Sequence, residues 1–156
     1  MRKFIQKKLK EQKGMTLIEL LAVIVILAII AAIAIPAIGG IIENSRVGAI
    51  KSDAQNIMSA GELYFIDEEP DSTGTLSVNL KELEDGGFIE DSGSFEDAAD
   101  KTKVTVNKVG SAATTFSGTG STGGIQVVFN KATRDAIATY SNSERTAIDG
   151  VKAIKE

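Results

Sequence analysis

Residues able to perform acid–base or nucleophilic chemistry are scarce in this chain. Histidine and cysteine are both absent, which removes the commonest general base, the thiol nucleophile and two common kinds of metal ligand. One carboxylate stands apart. Glu19 lies in "MTLIELLAVIVILAIIAAIAIP", residues 15–36, where the only other polar side chain is Thr16. A carboxylate costs about 2.5 to 3.5 kcal/mol at mid-bilayer and less near the surface, so we expect Glu19 to have a function.

The segment around Glu19 has the length and composition of a membrane span. Residues 20–38 are wholly apolar, and at about 1.5 Å per residue the helix would cross a hydrocarbon core of about 30 Å. Residues 1–14 carry six basic side chains and one acidic side chain, Glu11, which gives a local charge of +5. Because the net charge of the chain is −4, the remaining residues carry −9. A basic N-terminus before an apolar helix predicts a cytoplasmic N-terminus.

Two other interpretations of the apolar segment remain open. A buried core helix of a soluble protein should show a polar face, which this segment lacks. A secretory signal would be shorter and would end in small residues at a cleavage site, for which Ala31, Ala32 and Ala34 are candidates. Pro36 removes a helical hydrogen bond, and Gly39 and Gly40 loosen the same region. We therefore expect a kink or local melting around Pro36, with non-helical backbone in the assembled state and a helix that can persist in the free subunit.

The basic leader, Lys13-Gly14 and the apolar run after them closely resemble the class III signal of bacterial type IV prepilins and pseudopilins. The resemblance covers residues 2 to about 38. It implies that a prepilin peptidase cuts after Gly14 and methylates the new N-terminal residue, Met15. It also implies that Glu19, fifth in the mature chain, serves subunit assembly, and that Pro36 is the helix-breaking proline often found there.

The resemblance further implies the partners and the location. Identical subunits would pack in a helical filament, with a membrane platform protein and an assembly ATPase acting indirectly. The chain would first lie in membrane lipid as a single-pass protein with a cytoplasmic N-terminus, and afterwards in an extracellular surface filament.

Beyond the apolar run, the sequence predicts a half-buried helix. Between Glu43 and Phe65, apolar or small residues recur at steps of three and four, which places them on one face of a helix. We expect this stripe to pack on a sheet; its members are Val47, Ile50, Ala54, Ile57, Gly61 and Tyr64.

The remaining sequence predicts a small antiparallel sheet and one short helix. "SVNLKELEDGGFIED" indicates a helix capped by Asn79 and ended by Gly86 and Gly87. Strands are predicted over 103–109, 124–131 and, more weakly, 135–141, with a loop at 117–124 and a strand or turn in the tail after 143. The fold class is therefore α+β, with a long N-terminal helix packed on an antiparallel sheet.

Other kinds of site are poorly supported by the sequence. The acidic clusters at 67–71 and 90–100 could ligate calcium, but neither has EF-hand spacing, so we expect no cofactor. "GTGSTGG" lacks the lysine of a phosphate-binding loop. The acidic body disfavours direct nucleic-acid binding, although Lys101, Lys103, Lys108 and Lys131 could cluster locally.

These observations predict a structural subunit and not an enzyme. Its segments are a cleaved leader (1–14), a transmembrane and filament-core helix (15–38), an amphipathic continuation (39–66) and a globular α+β domain (67–156). A type IV pilin is the primary interpretation. The alternatives are a pseudopilin of type II secretion or competence DNA uptake, and a signal-anchored extracellular binding protein that does not assemble.

Overall fold

A computed structural model describes residues 16–96, 98, 100–143 and 150–155. The described residues form two compact units, divided between Gly40 and Ile41. Helix α1, Leu17–Tyr64, contributes its first part to the first unit and its second part to the other. The second unit also contains α2 (Leu80–Asp85), α3 (Arg134–Thr139) and two short 3-10 turns, Gly93–Phe95 and Lys101–Lys103.

Five antiparallel strands form one sheet in sequence order. They are β1 (Thr75–Asn79), β2 (Thr105–Val109), β3 (Thr115–Thr122), β4 (Ile125–Thr133) and β5 (Val151–Lys155). Alternation places Val78, Val106 and Phe116 on the face that packs against α1, and polar neighbours on the other face. The predicted α+β class with a long helix on a small antiparallel sheet is confirmed.

Local capping explains both short helices of the body. The Asn79 side chain accepts the Glu82 N–H and the Glu82 carboxylate accepts the Asn79 N–H, both at 2.9 Å, which forms a capping box at the start of α2. The predicted helix after Asn79 is thus confirmed, and it ends at Gly86. The predicted strand over 135–141 is wrong, because Thr133 caps a helix there by accepting the Ala136 N–H at 3.2 Å.

The predicted loop at 117–124 is also wrong, because most of it is strand β3. Glycine is needed there for packing: a Cβ at Gly120 would lie 2.7 Å from the Ile50 side chain and 2.8 Å from that of Phe95. The chain turns only at Gly123 and Gly124, both in the left-handed region, before β4 begins. Close approach of the sheet to the core therefore accounts for the glycine content of a segment whose composition is typical of a loop.

Side chains and loops occupy parts of both outer edges of the sheet. At β1, the N–H of Thr75 donates to the Asp71 carboxylate and the carbonyl of Thr75 accepts the Asp71 N–H, each at 2.9 Å. At β5, the buried N–H of Ala153 donates to the Tyr140 hydroxyl at 3.0 Å. These backbone groups therefore have partners within the chain and are not free for another strand.

Candidate assembly site on the N-terminal helix

Glu19 closes the first turn of α1 through a reciprocal set of hydrogen bonds with Thr16. The Thr16 N–H and hydroxyl donate to Glu19 Oε2 at 2.7 and 2.8 Å, and the Glu19 N–H donates to Thr16 Oγ1 at 3.3 Å. Thr16 precedes the first helical residue and Glu19 is the third, which is the geometry of a capping box. The carboxylate therefore has a structural role within its own chain, in addition to any role towards a neighbour.

The sequence contains the signal for this cap, although no role was predicted for Thr16. Thr16-Leu17-Ile18-Glu19 has a threonine followed three residues later by a glutamate, directly before an apolar run. That spacing is a recognised start of a helix. Thr16 is thus a functional residue that the pattern alone could have identified.

The helix after Glu19 presents apolar side chains on all sides. Its most apolar 18-residue window has a mean hydropathy of 3.2, and none of that window is buried. Leu17 is 83% exposed, and Ile33 and Ile35 are each 70% exposed. By length and composition this helix can cross a membrane. So large an exposed apolar surface requires a cover of lipid or of other apolar helices. The exposed helix is therefore consistent with membrane anchoring.

The residues expected to interrupt the helix lie within it. α1 continues through Pro36, Gly39 and Gly40. Pro36 has no N–H, so the carbonyl of Ala32 lacks the usual donor four residues ahead. Added Cβ atoms at Gly39 and Gly40 would meet nothing within 4 Å. The expectation of non-helical backbone concerns the assembled state and stays a prediction.

The expected cleavage and methylation residues, Gly14 and Met15, lie outside the described residues, as does the basic leader. The first described residue is Thr16, immediately after the expected new N-terminal residue. The cap formed by Thr16 and Glu19 needs no side chain from residues 1–15. Cleavage after Gly14 would therefore leave the cap intact.

The stripe expected to pack on the sheet lies in the second part of α1. Its first five members are buried and Tyr64 is half-buried, packing edge-on against Phe88 with ring centroids 5.3 Å apart. Gly61 lies so close to the sheet that an added Cβ would be 2.8 Å from the Val106 side chain. The buried members are Val47, Ile50, Ala54, Ile57 and Gly61.

Three polar residues of the same helix part also hold the body, and no role was predicted for them from the sequence. Arg46 donates to the carbonyl of Gly123 at 2.6 Å, in the turn between β3 and β4. Asp53 accepts the N–H and hydroxyl of Ser94 at 2.8 and 2.6 Å. Lys51 donates to the carbonyls of Ala138 and Tyr140, at the end of α3. Their partners lie at least 41 residues away, so periodicity could not identify these contacts.

Some members of both acidic clusters accept local hydrogen bonds, among them Asp71 and Asp91. In the loop after α1, the hydroxyl of Thr73 donates to Asp71 at 2.6 Å, and together with the N–H groups of Thr75 and Thr73 it lowers the pKa of that carboxyl. Within the described residues, no group of three or more potential ligands is placed to hold a metal ion. The expectation that the chain needs no cofactor remains a prediction.

Two of the four lysines considered for a local basic cluster share one 3-10 turn and pair with carboxylates, and the other two line separate grooves. Lys101 pairs with Glu84 and Glu96 at 2.8 and 3.1 Å. Lys103 lies 3.4 Å from Asp100. Lys108 and Lys131 line two different grooves. This distribution does not concentrate positive charge as a nucleic-acid backbone would require.

Comparisons with known proteins identify the N-terminal segment. The family model described as the prokaryotic N-terminal methylation motif matches residues 9–35, the segment that contains Gly14, Met15, Thr16 and Glu19. Neither the curated proteins nor the solved structures gave a match. The matched segment ends one residue before Pro36, so the folded body lies outside it. The chain therefore carries, at its N-terminus, the class III signal of type IV pilins and pseudopilins.

Proposed function

We propose that this chain is a structural subunit of a type IV pilus or pilus-like filament. The observation that carries the proposal is the methylation motif at residues 9–35, continuous with an exposed apolar helix that joins a folded body. A prepilin peptidase would cut after Gly14 and methylate Met15. Identical subunits would then leave the lipid and associate through residues 20–38.

Cleavage on the N-terminal side of the apolar helix explains why the helix stays with the body. An ordinary signal peptidase would remove it instead. The cut also creates a positive amine at Met15, four residues before Glu19. In a dry helical core, a neighbour's amine would offset the desolvation of the Glu19 carboxylate, because opposite charges attract strongly where water is excluded.

The capping bonds with Thr16 are compatible with this docking role. They use Glu19 Oε2, and an ionised carboxylate has a second oxygen that can accept from another subunit. The partial positive charge at the start of α1 also favours an ionised carboxylate in the first turn. Glu19 would thus organise its own helix end and present charge to the neighbour.

Extension and retraction of the filament would depend on partners that act on the assembling subunits. A membrane platform protein and a cytoplasmic ATPase would supply the work, as the resemblance to prepilins implies. Before assembly, the subunit would be anchored in the cell membrane with its N-terminus in the cytoplasm.

Intact mass of material sheared from the cell surface tests this proposal. We expect a chain that starts at Met15 and carries one added methyl group. A control chain with Gly14→Val should remain in the membrane at full length, because a side chain next to the scissile bond would obstruct the peptidase. Surface filaments that retain residues 1–14 would contradict the proposal.

The same preparation separates the alternatives. A pseudopilin would be processed at Met15 but would form short filaments confined to the envelope, so it would be cleaved and nearly absent from the sheared fraction. A signal-anchored binding protein would stay in the membrane without assembling, and chemical cross-linking would give no ladder of subunits.

A further inference from the structure

A groove with mixed polar and apolar lining lies on the face of the sheet that points away from the core. Its volume is about 470 Å³, within the usual range for small-ligand sites. Val109 and two alanines complete its wall. Hydroxyl, amide and ammonium groups make up the rest, from Thr75, Thr105, Asn107, Thr115, Ser117 and Lys131.

A β-bulge brings Lys131 to this groove. The pairing of β3 with β4 shifts between Phe116–Ala132 and Gly118–Phe129, so Ser117 faces two residues of β4. Lys131 is in the left-handed region at φ 51°, the only non-glycine among the described residues with positive φ. Its N–H donates to the Ser117 hydroxyl oxygen at 3.0 Å. Bulges commonly redirect a side chain next to a functional site.

Asn107 and Ser117 keep hydrogen-bonding capacity for a ligand, whereas the Thr115 hydroxyl donates to the Asn107 carbonyl at 3.3 Å. Asn107 donates to the Thr105 hydroxyl oxygen at 3.1 Å, which leaves its second amide hydrogen and its side-chain oxygen. Ser117 accepts from Lys131 and retains its own hydroxyl hydrogen. Such a set of donors and acceptors suits a ligand rich in hydroxyl groups.

The strands that line the groove differ in charge from the rest of the chain. None of the five strands contains aspartate or glutamate, and their only charged residues are lysines. One carboxylate is bonded to the lining: Asp71 accepts the N–H of Thr75 at 2.9 Å, from the loop before β1. A ligand with sparse negative charge would meet Lys131 on β4, while Asp71 at the edge of β1 would disfavour a densely charged one.

We propose that this groove binds a polysaccharide that carries sparse carboxylates. Its sugar hydroxyls would bond to the groove's hydroxyl and amide groups, and one carboxylate of the polymer would pair with Lys131. Sparse charge also limits repulsion by the acidic body. Nucleic acid fits the groove less well. Proteins hold single strands by stacking bases on aromatic rings and by several cations, whereas the lining described for this groove has no aromatic residue and one cation. This inference concerns the body and does not depend on filament assembly.

Binding to immobilised polymers tests the inference with the full chain. The chain is kept in an uncharged polyoxyethylene detergent, because a maltoside headgroup would compete for a sugar site. Hyaluronan supplies one carboxylate in every second sugar, while dextran, polygalacturonate and single-stranded DNA serve as neutral, densely charged and nucleic-acid comparisons. We expect retention on hyaluronan at about 0.15 M salt, and weaker retention on the three comparisons.

Matched lysine variants locate the site. Lys131→Asn removes the charge with a residue that tolerates the left-handed backbone, and should weaken binding about tenfold. Lys103→Gln makes the same charge change in another groove and should leave binding unchanged. Asn107→Ala should weaken binding without a change of charge. Equal binding by Lys131→Asn and the parent chain, stronger retention on DNA, or no retention on hyaluronan would each overturn the inference.

Discussion

The double role of Glu19 gives the sharpest prediction. Glutamine at the third helical position can complete a capping box as glutamate does, whereas alanine cannot. Glu19→Gln therefore keeps the bond from the Thr16 N–H and removes the charge, while Glu19→Ala removes both. Thr16→Ala is the reciprocal variant, since it deletes the hydroxyl cap and leaves the carboxylate in place.

The two roles differ in expected magnitude. Loss of a threonine cap typically costs about 1 kcal/mol, so Thr16→Ala should reduce filament yield by about fivefold or less. Leaving one member of a buried ion pair without its partner costs about 3 to 5 kcal/mol. If Glu19 docks against a neighbour's amine, Glu19→Gln should lower subunit association by about a hundredfold or more.

The assay compares cell-associated and sheared protein by immunoblot for all three variants and the parent chain. Each variant must first show a mature N-terminus at Met15, which separates assembly from processing. We expect Glu19→Gln and Glu19→Ala to be processed normally and to give almost no sheared filament. Wild-type yield from Glu19→Gln, together with a defect in Thr16→Ala and Glu19→Ala, would show that Glu19 acts as a helix cap and would refute the docking role.

Three further predictions concern the body and the helix. Alanine usually stabilises a helix relative to glycine. Gly61→Ala should nevertheless destabilise the body by about 1 to 3 kcal/mol in thermal unfolding, because its Cβ would lie 2.8 Å from Val106. The control Gly40→Ala, whose Cβ would lie in open space, should not lower the stability. The pKa of Glu96 is lowered, first by the bond from the Ser92 hydroxyl and then by Lys101. The ionised Glu96 carboxylate therefore stabilises the fold at pH values above 4.5, its ordinary pKa. This stabilisation is lost as the pH falls from 4.5 through the lowered pKa of the folded state. Hydrogen exchange at residues 92–96, corrected for the intrinsic effect of pH, should accelerate below the ordinary value of 4.5 and stay constant above it; a flat profile would contradict this. In a filament map, backbone around Pro36 should be non-helical in the parent chain and helical in Pro36→Ala, and an unbroken parent helix would count against the expected unwinding.

The elements that the sequence predicts correctly are those that one local pattern determines. An uninterrupted apolar run and a stripe at steps of three and four define α1. Asn79 with Glu82 defines the start of α2, and alternating β-branched residues define β2 and β4. These elements depend on residues close together in the chain.

The elements that were predicted wrongly or missed are mainly those in which distant contacts override local composition. The glycines of β3 indicate a loop until Gly120 is seen against Ile50 and Phe95, which come from other elements. β1 was not predicted, and its residues lie as a short strand beside β2. The error at α3 was avoidable, since Thr133 followed by Arg134 and Asp135 has the composition of a helix start.

The occupied edges of the sheet have a consequence for how subunits would exchange. Asp71 engages the backbone of Thr75 at one edge, and Tyr140 engages that of Ala153 at the other. Bodies joined by donated strands would have to open their sheets to come apart. With these backbone groups already bonded, a subunit held only through its apolar helix could leave a filament with its body folded and be used again.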